Sequence, residues 1–376
     1  MFGGTLNGQR VLVTGLGGAK GTWLGWYLLE AGVERVIGVD RTFGTPGGCF
    51  YASGLGAQER VGLCEMDIRD LDGLRATLER ERVSCLVHLA AMAIVGECRE
   101  RPLDTYAINV LGTATVLEAA RLSPTVERIV VVTTDKVYRD KGGEPWREDD
   151  PLVASGPYAV SKACAEFLTR DYFVGYLQPG GKHLGVARAG NVLAPGDHHR
   201  GRIFVDVVLA LAAGQAPVIQ NPAFTRPYTY VGDTVSGYLS LLAQCDRPEV
   251  DGEAFNFGPQ EAQGVPNGEL ATRICELWGS GIQWVRGEGR TEPFVHQSLD
   301  CTKADRILQW RPAYRLDQAL QALVEWHKAH AQHPQEGALQ ELTVEHVRRH
   351  VAAARAAGIA WAQEAPGRRT GAHPAG

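Results

Sequence analysis

The sequence predicts an α/β fold, a doubly wound parallel sheet followed by a smaller C-terminal lobe, and three observations predict it. From Arg10 to about Ala189, short β-branched runs alternate with longer stretches of helical periodicity, the pattern of successive βαβ units. The runs are apolar almost throughout, as strands are when helices cover both faces. After Gly190 the rhythm gives way to Pro- and Gly-rich connections.

The first run, RVLVTG (10–15), leads through a glycine-rich turn into a helical pattern over 21–31, and RVIGVD (35–40) and VGLCEMD (61–67) follow. A helix over 71–81 separates these from CLVHLAA (85–91). Helical spacing over 103–121 then precedes RIVVVTT (128–134), and a helix over 158–176 precedes HLGVARA (183–189). Apolar spacing also predicts helices over 204–213, 234–244, 267–278 and 316–329. The expected organisation is therefore a dinucleotide-binding domain over 1–190 and a mainly substrate-binding lobe over 191–331, some of whose segments return to the sheet. The tail, 332–376, reads as a helix over 339–362 and then APGRRTGAHPAG, whose Gly, Pro and charge content favours disorder. No chemistry is assigned to it.

Composition narrows the function. With 376 residues, 44% hydrophobic and 22% charged, and a formal net charge of -5, the chain buries a large core and is a poor match for nucleic acid or an anionic membrane surface. The N-terminus runs straight into a strand, without a signal pattern or a long apolar span, so cytoplasmic residence is expected. Eight scattered cysteines show no CxxC pair or His/Cys cluster at ligand spacing, and so read as free thiols with no metal site.

Gly15, Gly18 and Gly21 stand at GxxGxxG spacing between the first strand and its helix, with Ala19 and Lys20 inside the turn. Glycines there let the backbone approach a pyrophosphate, which the amides of a helix N-terminus then meet. Asp40 closes the second strand, where a carboxylate accepts from the adenosine ribose hydroxyls and repels a 2′-phosphate; NAD is expected over NADP. Arg41 beside it is the residue through which a 2′-phosphate would be accommodated. Asp67 and Ile68 read either as adenine contacts or as a strand end and helix cap, and Lys20 as reaching a phosphate or facing solvent.

RIVVVTT delivers Thr133, Thr134, Asp135 and Lys136 to the C-terminal end of its strand, where open α/β sheets place ligands. Tyr158 and Lys162 then share one face of the next helix. A neighbouring ammonium favours phenolate over phenol, making Tyr158 a general base, and Thr134 holds the oxygen that Tyr158 deprotonates.

In this order the motifs give a Rossmann-like chain that resembles the extended short-chain dehydrogenase/reductase family, also called the NAD-dependent epimerase/dehydratase family, over roughly residues 8–330. HLAA (88–91), Asn109, RAGNV (188–192) and FNFGP (255–259) are similar to that family's remaining landmarks, which implies cofactor contacts at Leu89, Ala90, Ala91, Asn109 and Thr133. TTDKVYRDK, PYAVSKACAE, ARAGNVLAPGD and NPAFTRPYTYV look most like its CDP-glucose 4,6-dehydratase branch, with Thr-Asp-Lys where the dTDP-glucose type carries Thr-Asp-Glu. Leu16, Met92-Ala93 and Ala194-Pro195 depart from that branch. The resemblance implies NAD as cofactor and a nucleotide-diphosphate sugar as substrate. Tyr158 would deprotonate the C4 hydroxyl as hydride leaves C4, Lys136 would take the C5 proton, Asp135 would help expel the C6 hydroxyl, and the hydride would return to C6. A lysine is a base only where burial or positive charge lowers its pKa from about 10.4, so an enclosed site is demanded. Met92, Thr134 and Asn191 are expected at the substrate, with Arg202 and Arg226 supplying charge for its diphosphate. Two other readings share these residues: a nucleotide-sugar 4-epimerase, which does not require the Asp-Lys pair, and a non-catalytic NAD-binding regulator. The helices around 103–121 and 158–176 resemble the family's dimer-forming pair, so a homodimer is expected.

Overall fold

The structure is a computed structural model that describes residues 1–44, 47–260, 264–288 and 297–363. All six expected strands form: β1 (Arg10–Thr14), β2 (Arg35–Asp40), β3 (Val61–Glu65), β4 (Cys85–His88), β5 (Arg128–Val132) and β6 (His183–Ala189). β7 (Ala254–Phe257), from the FNFGP motif, returns to this sheet beside β6. The order is β7-β6-β5-β4-β1-β2-β3, parallel throughout. The chain winds outward from β1 in one direction and from β4 in the other, so the crevice at the C-terminal ends of β1 and β4 is the switch point.

Strand alternation divides the core into two layers. Val11, Val13, Val130 and Val132 face one cluster with Trp23, Leu24, Leu239 and Leu241; Leu12, Ile129 and Val131 face the other with Leu74, Val116 and Leu117. The first is covered by α1 (Ala19–Glu30) and the second by α2 (Leu71–Arg80) and α3 (Gly112–Leu122). β3, at the edge, is buried only at Val61 and is partly or fully open along the rest of its length. The remaining helices are α4 (Pro157–Tyr172), α5 (Ile203–Ala212), α6 (Val231–Gln244), α7 (Asn267–Trp278), α8 (Leu316–Gln332) and α9 (Gln340–Ala356). α6 is buried from Val231 to Ala243.

Two features depart from the sequence reading. The predicted helix over 103–121 contains a π-helical turn, Ala107–Leu111, before α3, and that turn carries Asn109. The tail is also more than an appendage: α9 presents His350, whose Nδ1 lies 2.7 Å from the Tyr27 hydroxyl of α1 and whose Nε2 lies 2.8 Å from Asp233 Oδ1 of α6. Asp233 also accepts from the amides of Ala313 and Tyr314, and Trp361 stacks on Phe2 with ring centroids 5.5 Å apart. The terminal APGRRTGAHPAG, expected to be disordered, lies outside the described residues. Among the described residues no helix is long and apolar enough to cross a membrane, and no group of His, Cys, Asp or Glu is arranged to hold a metal ion.

Candidate active site

The glycine turn shows three different demands. Gly15 has φ +79°, and a Cβ there would lie 2.9 Å from the Ala90 nitrogen. At Gly21 a Cβ would lie 2.1 Å from the Gly15 carbonyl oxygen, so the packing of α1 against its own turn excludes any side chain. At Gly18, the residue capping α1, a Cβ would touch only the Gly15 oxygen at 3.5 Å. Protein packing alone tolerates alanine there, so glycine at that position leaves the outer face of the turn open. With the first-turn amides of α1 beyond it, the turn matches a pyrophosphate cradle.

Asp40 reaches back to this turn: its Oδ2 accepts from the Gly17 amide at 3.1 Å and its Oδ1 from the Arg41 amide at 2.8 Å. Burial pushes its carboxyl above the usual value against these bonds. The Arg41 side chain is exposed. Asp67 gives its carboxylate to Arg69, with contacts of 2.9 and 2.7 Å, which hold its pKa down, and Ile68 is a core residue packed on Gly112. Both side chains therefore have structural partners.

Leu89, Ala90 and Ala91 follow β4 beside the turn, and the amides of Leu89 and Ala90 donate to Thr14 Oγ1 at 3.1 and 3.2 Å. His88 extends this link. The Thr113 hydroxyl donates to the Asn109 carbonyl at 2.7 Å, so its oxygen is free to accept from His88 Nε2 at 2.9 Å, and His88 Nδ1 accepts from the Thr14 hydroxyl at 2.7 Å. Burial lowers His88 to about 3, consistent with the neutral ring this chain requires. Asn109, expected at the cofactor, is a brace: its side chain pairs with both the amide and carbonyl of Met92 at 2.8 and 3.0 Å and donates to Ser161 Oγ at 2.9 Å. It thereby ties the Met92 loop to α4.

At the end of β5 the Thr134 hydroxyl donates to Asp135 Oδ1 at 3.0 Å and lies close enough to the phenol of Tyr158 to influence its titration. Burial pushes Tyr158 up to about 12, and the Thr134 contact opposes this. Lys162, one turn along α4, donates to the Val132 carbonyl at 2.7 Å, and burial lowers it to about 8. Asp135 is fully buried, and its Oδ2 has no hydrogen-bond partner among the described residues. Lys136 Nζ lies 3.6 Å from Asp135 Oδ1 and 3.4 Å from Asn191 Oδ1. Thr133, expected at the cofactor, points its hydroxyl elsewhere, donating to Glu166 Oε1 at 2.6 Å.

That bond opens a network the sequence reading missed. Glu166 pairs with Arg188, Arg188 NH1 donates to the Tyr138 hydroxyl at 2.7 Å, and Tyr138 donates to Asn256 Oδ1 at 2.6 Å. Arg188 and Asn256 belong to the quoted RAGNV and FNFGP motifs, whose presence was legible but whose purpose, supporting the strand end from behind, was not. Tyr238 of α6 was also missed. It is fully buried, its hydroxyl has no hydrogen-bond partner among the described residues, and it lies close enough to Tyr158 and Asp135 to feel their charge.

Among the expected substrate residues, Arg202 caps α5, pairs with Asp197, and lies near Tyr158. Arg226 lies over the Phe224 ring at 5.4 Å, donates to the Thr225 carbonyl at 3.0 Å, and feels the charge of Asp135. Burial lowers the pKa of both guanidinium groups. Lys20, left between phosphate and solvent by the sequence, turns inward, its Nζ 6.0 Å from the Tyr238 ring centroid.

Comparison with known proteins identifies the family. CDP-glucose 4,6-dehydratase of Salmonella typhimurium is 32% identical over 336 residues, covering 86% of this chain and 91% of that one. UDP-glucose 4-epimerase of Lacticaseibacillus casei is 28% identical over 277 residues, 70% and 82% of the two chains. The crystal structure of the dTDP-glucose 4,6-dehydratase DesIV of Streptomyces venezuelae, with NAD bound, superposes with a TM-score of 0.73 at 27% identity, covering 85% of this chain and 97% of that one. The sequence profile of the NAD-dependent epimerase/dehydratase family matches residues 11–258, and the chain belongs to that family.

Proposed function

We propose that the protein is an NAD-dependent 4,6-dehydratase of a nucleotide-activated hexose, of the CDP-glucose type, yielding a 4-keto-6-deoxy sugar. The observation that carries this reading is Asp135, buried beside Thr134 and Lys136 with one carboxyl oxygen unpartnered among the described residues. An epimerase has no water to expel and no need of an acid and base beyond Tyr158; a dehydratase needs both.

When bound, NAD accepts a hydride from the sugar and returns it. Gly15, Gly18 and Gly21, with the amides of Ala19 and Lys20, would hold its pyrophosphate, and Asp40 its ribose. Tyr158 takes the C4 hydroxyl proton, Thr134 steadies that oxygen, and the charge of Lys162 favours the phenolate. Lys136 removes the C5 proton made acidic by the ketone, and Asp135 protonates the departing C6 hydroxyl. Asn191, Arg202, Arg226 and the Met92 loop face the sugar and its diphosphate. The 4-epimerase reading rests on the similarity to UDP-glucose 4-epimerase, and one experiment separates the two. Incubation with CDP-glucose should remove one water and leave a 4-keto product without net NADH, read by mass spectrometry and absorbance; unchanged mass with altered stereochemistry would establish the epimerase.

The active form is, on this reading, a homodimer. Leu103, Leu111, Phe167 and Val174 are 83%, 61%, 61% and 59% exposed on the two helical segments that flank the site, and a second copy would cover them.

A further inference from the structure

We propose that Thr133 and Glu166 are positioning residues: their hydrogen bond, anchored by Arg188, fixes the register in which α4 presents Tyr158 at the end of β5. The inference rests on Tyr158 as the base at C4, a role common to the dehydratase and epimerase readings.

Tyr158, Lys162 and Glu166 recur at every fourth position of α4 and so form one row on its surface. Val132, Thr133 and Thr134 are consecutive at the end of β5. Two hydrogen bonds stitch the row to the strand: Lys162 donates to the Val132 carbonyl at 2.7 Å, and the Thr133 hydroxyl donates to Glu166 Oε1 at 2.6 Å. One bond alone would leave the helix free to pivot about it. Two bonds, a helical turn apart on α4 and one residue apart on β5, hold the helix against both sliding and rolling, and so set where Tyr158 stands relative to Thr134.

The far end of the second bond is itself fixed. The Glu166 carboxylate takes Arg188 Nε at 3.0 Å and NH2 at 2.5 Å, and Arg188, on β6, is held in turn by the Tyr138 hydroxyl at 2.7 Å and the Glu148 carbonyl at 3.0 Å. Thr133, Glu166 and Arg188 are 3%, 6% and 5% exposed. A buried ion pair adds little net stability over apolar residues of the same volume, whereas a two-pronged guanidinium-carboxylate contact accepts a narrow range of geometries. Arg188 Nε lies 3.0 Å from each carboxyl oxygen of Glu166, so the pair stays satisfied without Thr133. The threonine hydroxyl is therefore the member of this link that can be removed without orphaning a buried charge, and what it adds is placement.

The test compares wild type, Thr133→Val and Thr133→Ser as NAD-loaded full chains with CDP-glucose. Thr133→Val keeps the shape and loses the donor. Its kcat should fall roughly tenfold, with KM within about twofold of the wild type, and the transient reduction of NAD in a single turnover, followed by absorbance after rapid mixing, should slow by the same factor. Thr133→Ser, which restores the donor, should recover near wild-type values of all three. If valine disturbs folding, Thr133→Ala removes the same donor with a smaller side chain and takes its place. A Thr133→Val chain that turns over like the wild type overturns the proposal, and so does a loss that Thr133→Ser shares in full or one that leaves the NAD reduction step unchanged. Both candidate reactions begin with that step, so the variant-to-wild-type ratio judges the register, while the mass of the product separately judges dehydratase against epimerase.

Discussion

Burial moves Tyr158 up to about 12 and Lys162 and Lys20 down to about 8 and 7, so it pushes each of the three groups toward its neutral form. For the lysines the consequence for stability has a definite sign. Both pKa values are depressed on folding, so between about pH 7 and the ordinary lysine value the unfolded chain binds more protons, and the folded state gains stability as pH rises through that window. We expect Lys20→Met to raise the unfolding midpoint of the cofactor-free chain below pH 7 and to flatten its rise toward pH 9.5, as followed by circular dichroism; parallel curves for variant and wild type would contradict this. Tyr158→Phe should lower turnover at least about 100-fold while nucleotide-sugar binding persists. The residues that touch substrate in this scheme were readable because chemistry constrains their type and spacing. Tyr238 was not readable: a tyrosine inside an apolar helix is indistinguishable from core packing until the fold brings α6 against α1 and β5.

The glycine turn separates two kinds of constraint within one element. Gly21 is required by the contact of α1 with its own turn, and Gly18 only by what approaches from outside. Gly21→Ala should therefore destabilise the protein by at least about 3 kcal/mol in urea titration. Gly18→Ala should fold normally and lose NAD affinity; unimpaired NAD binding by that variant would remove the pyrophosphate from this turn. Strand positions were legible because continuous apolar runs require two covered faces, and each of the six forms. β7 was harder to read, since four residues between polar motifs carry no periodic signal, and its place beside β6 is decided by a pairing distant in sequence. Asn109 shows the same limit: its motif was recognisable, yet its bonds to Met92 and Ser161 depend on a π-helical turn that no apolar spacing announces.

At the scale of the whole molecule, the exposed Leu103 and Phe167 mark the face expected to pair. Substituting both by aspartate should yield a monomer in equilibrium sedimentation, and a variant that sediments like the wild type would place the interface elsewhere. The tail was the least legible part of the chain, because its alternation of alanine, histidine and arginine looks like a solvated helix, while its partners lie on α1 and α6. The same α1 that begins at the glycine-rich turn is fastened near its far end, through Tyr27, to His350 and Asp233. A chain shortened before Gln340 should consequently leak its nicotinamide cofactor during gel filtration while its sheet stays folded, the outcome expected if the C-terminal segment is a remote latch on the turn at the other end of α1; full retention of the cofactor would contradict this.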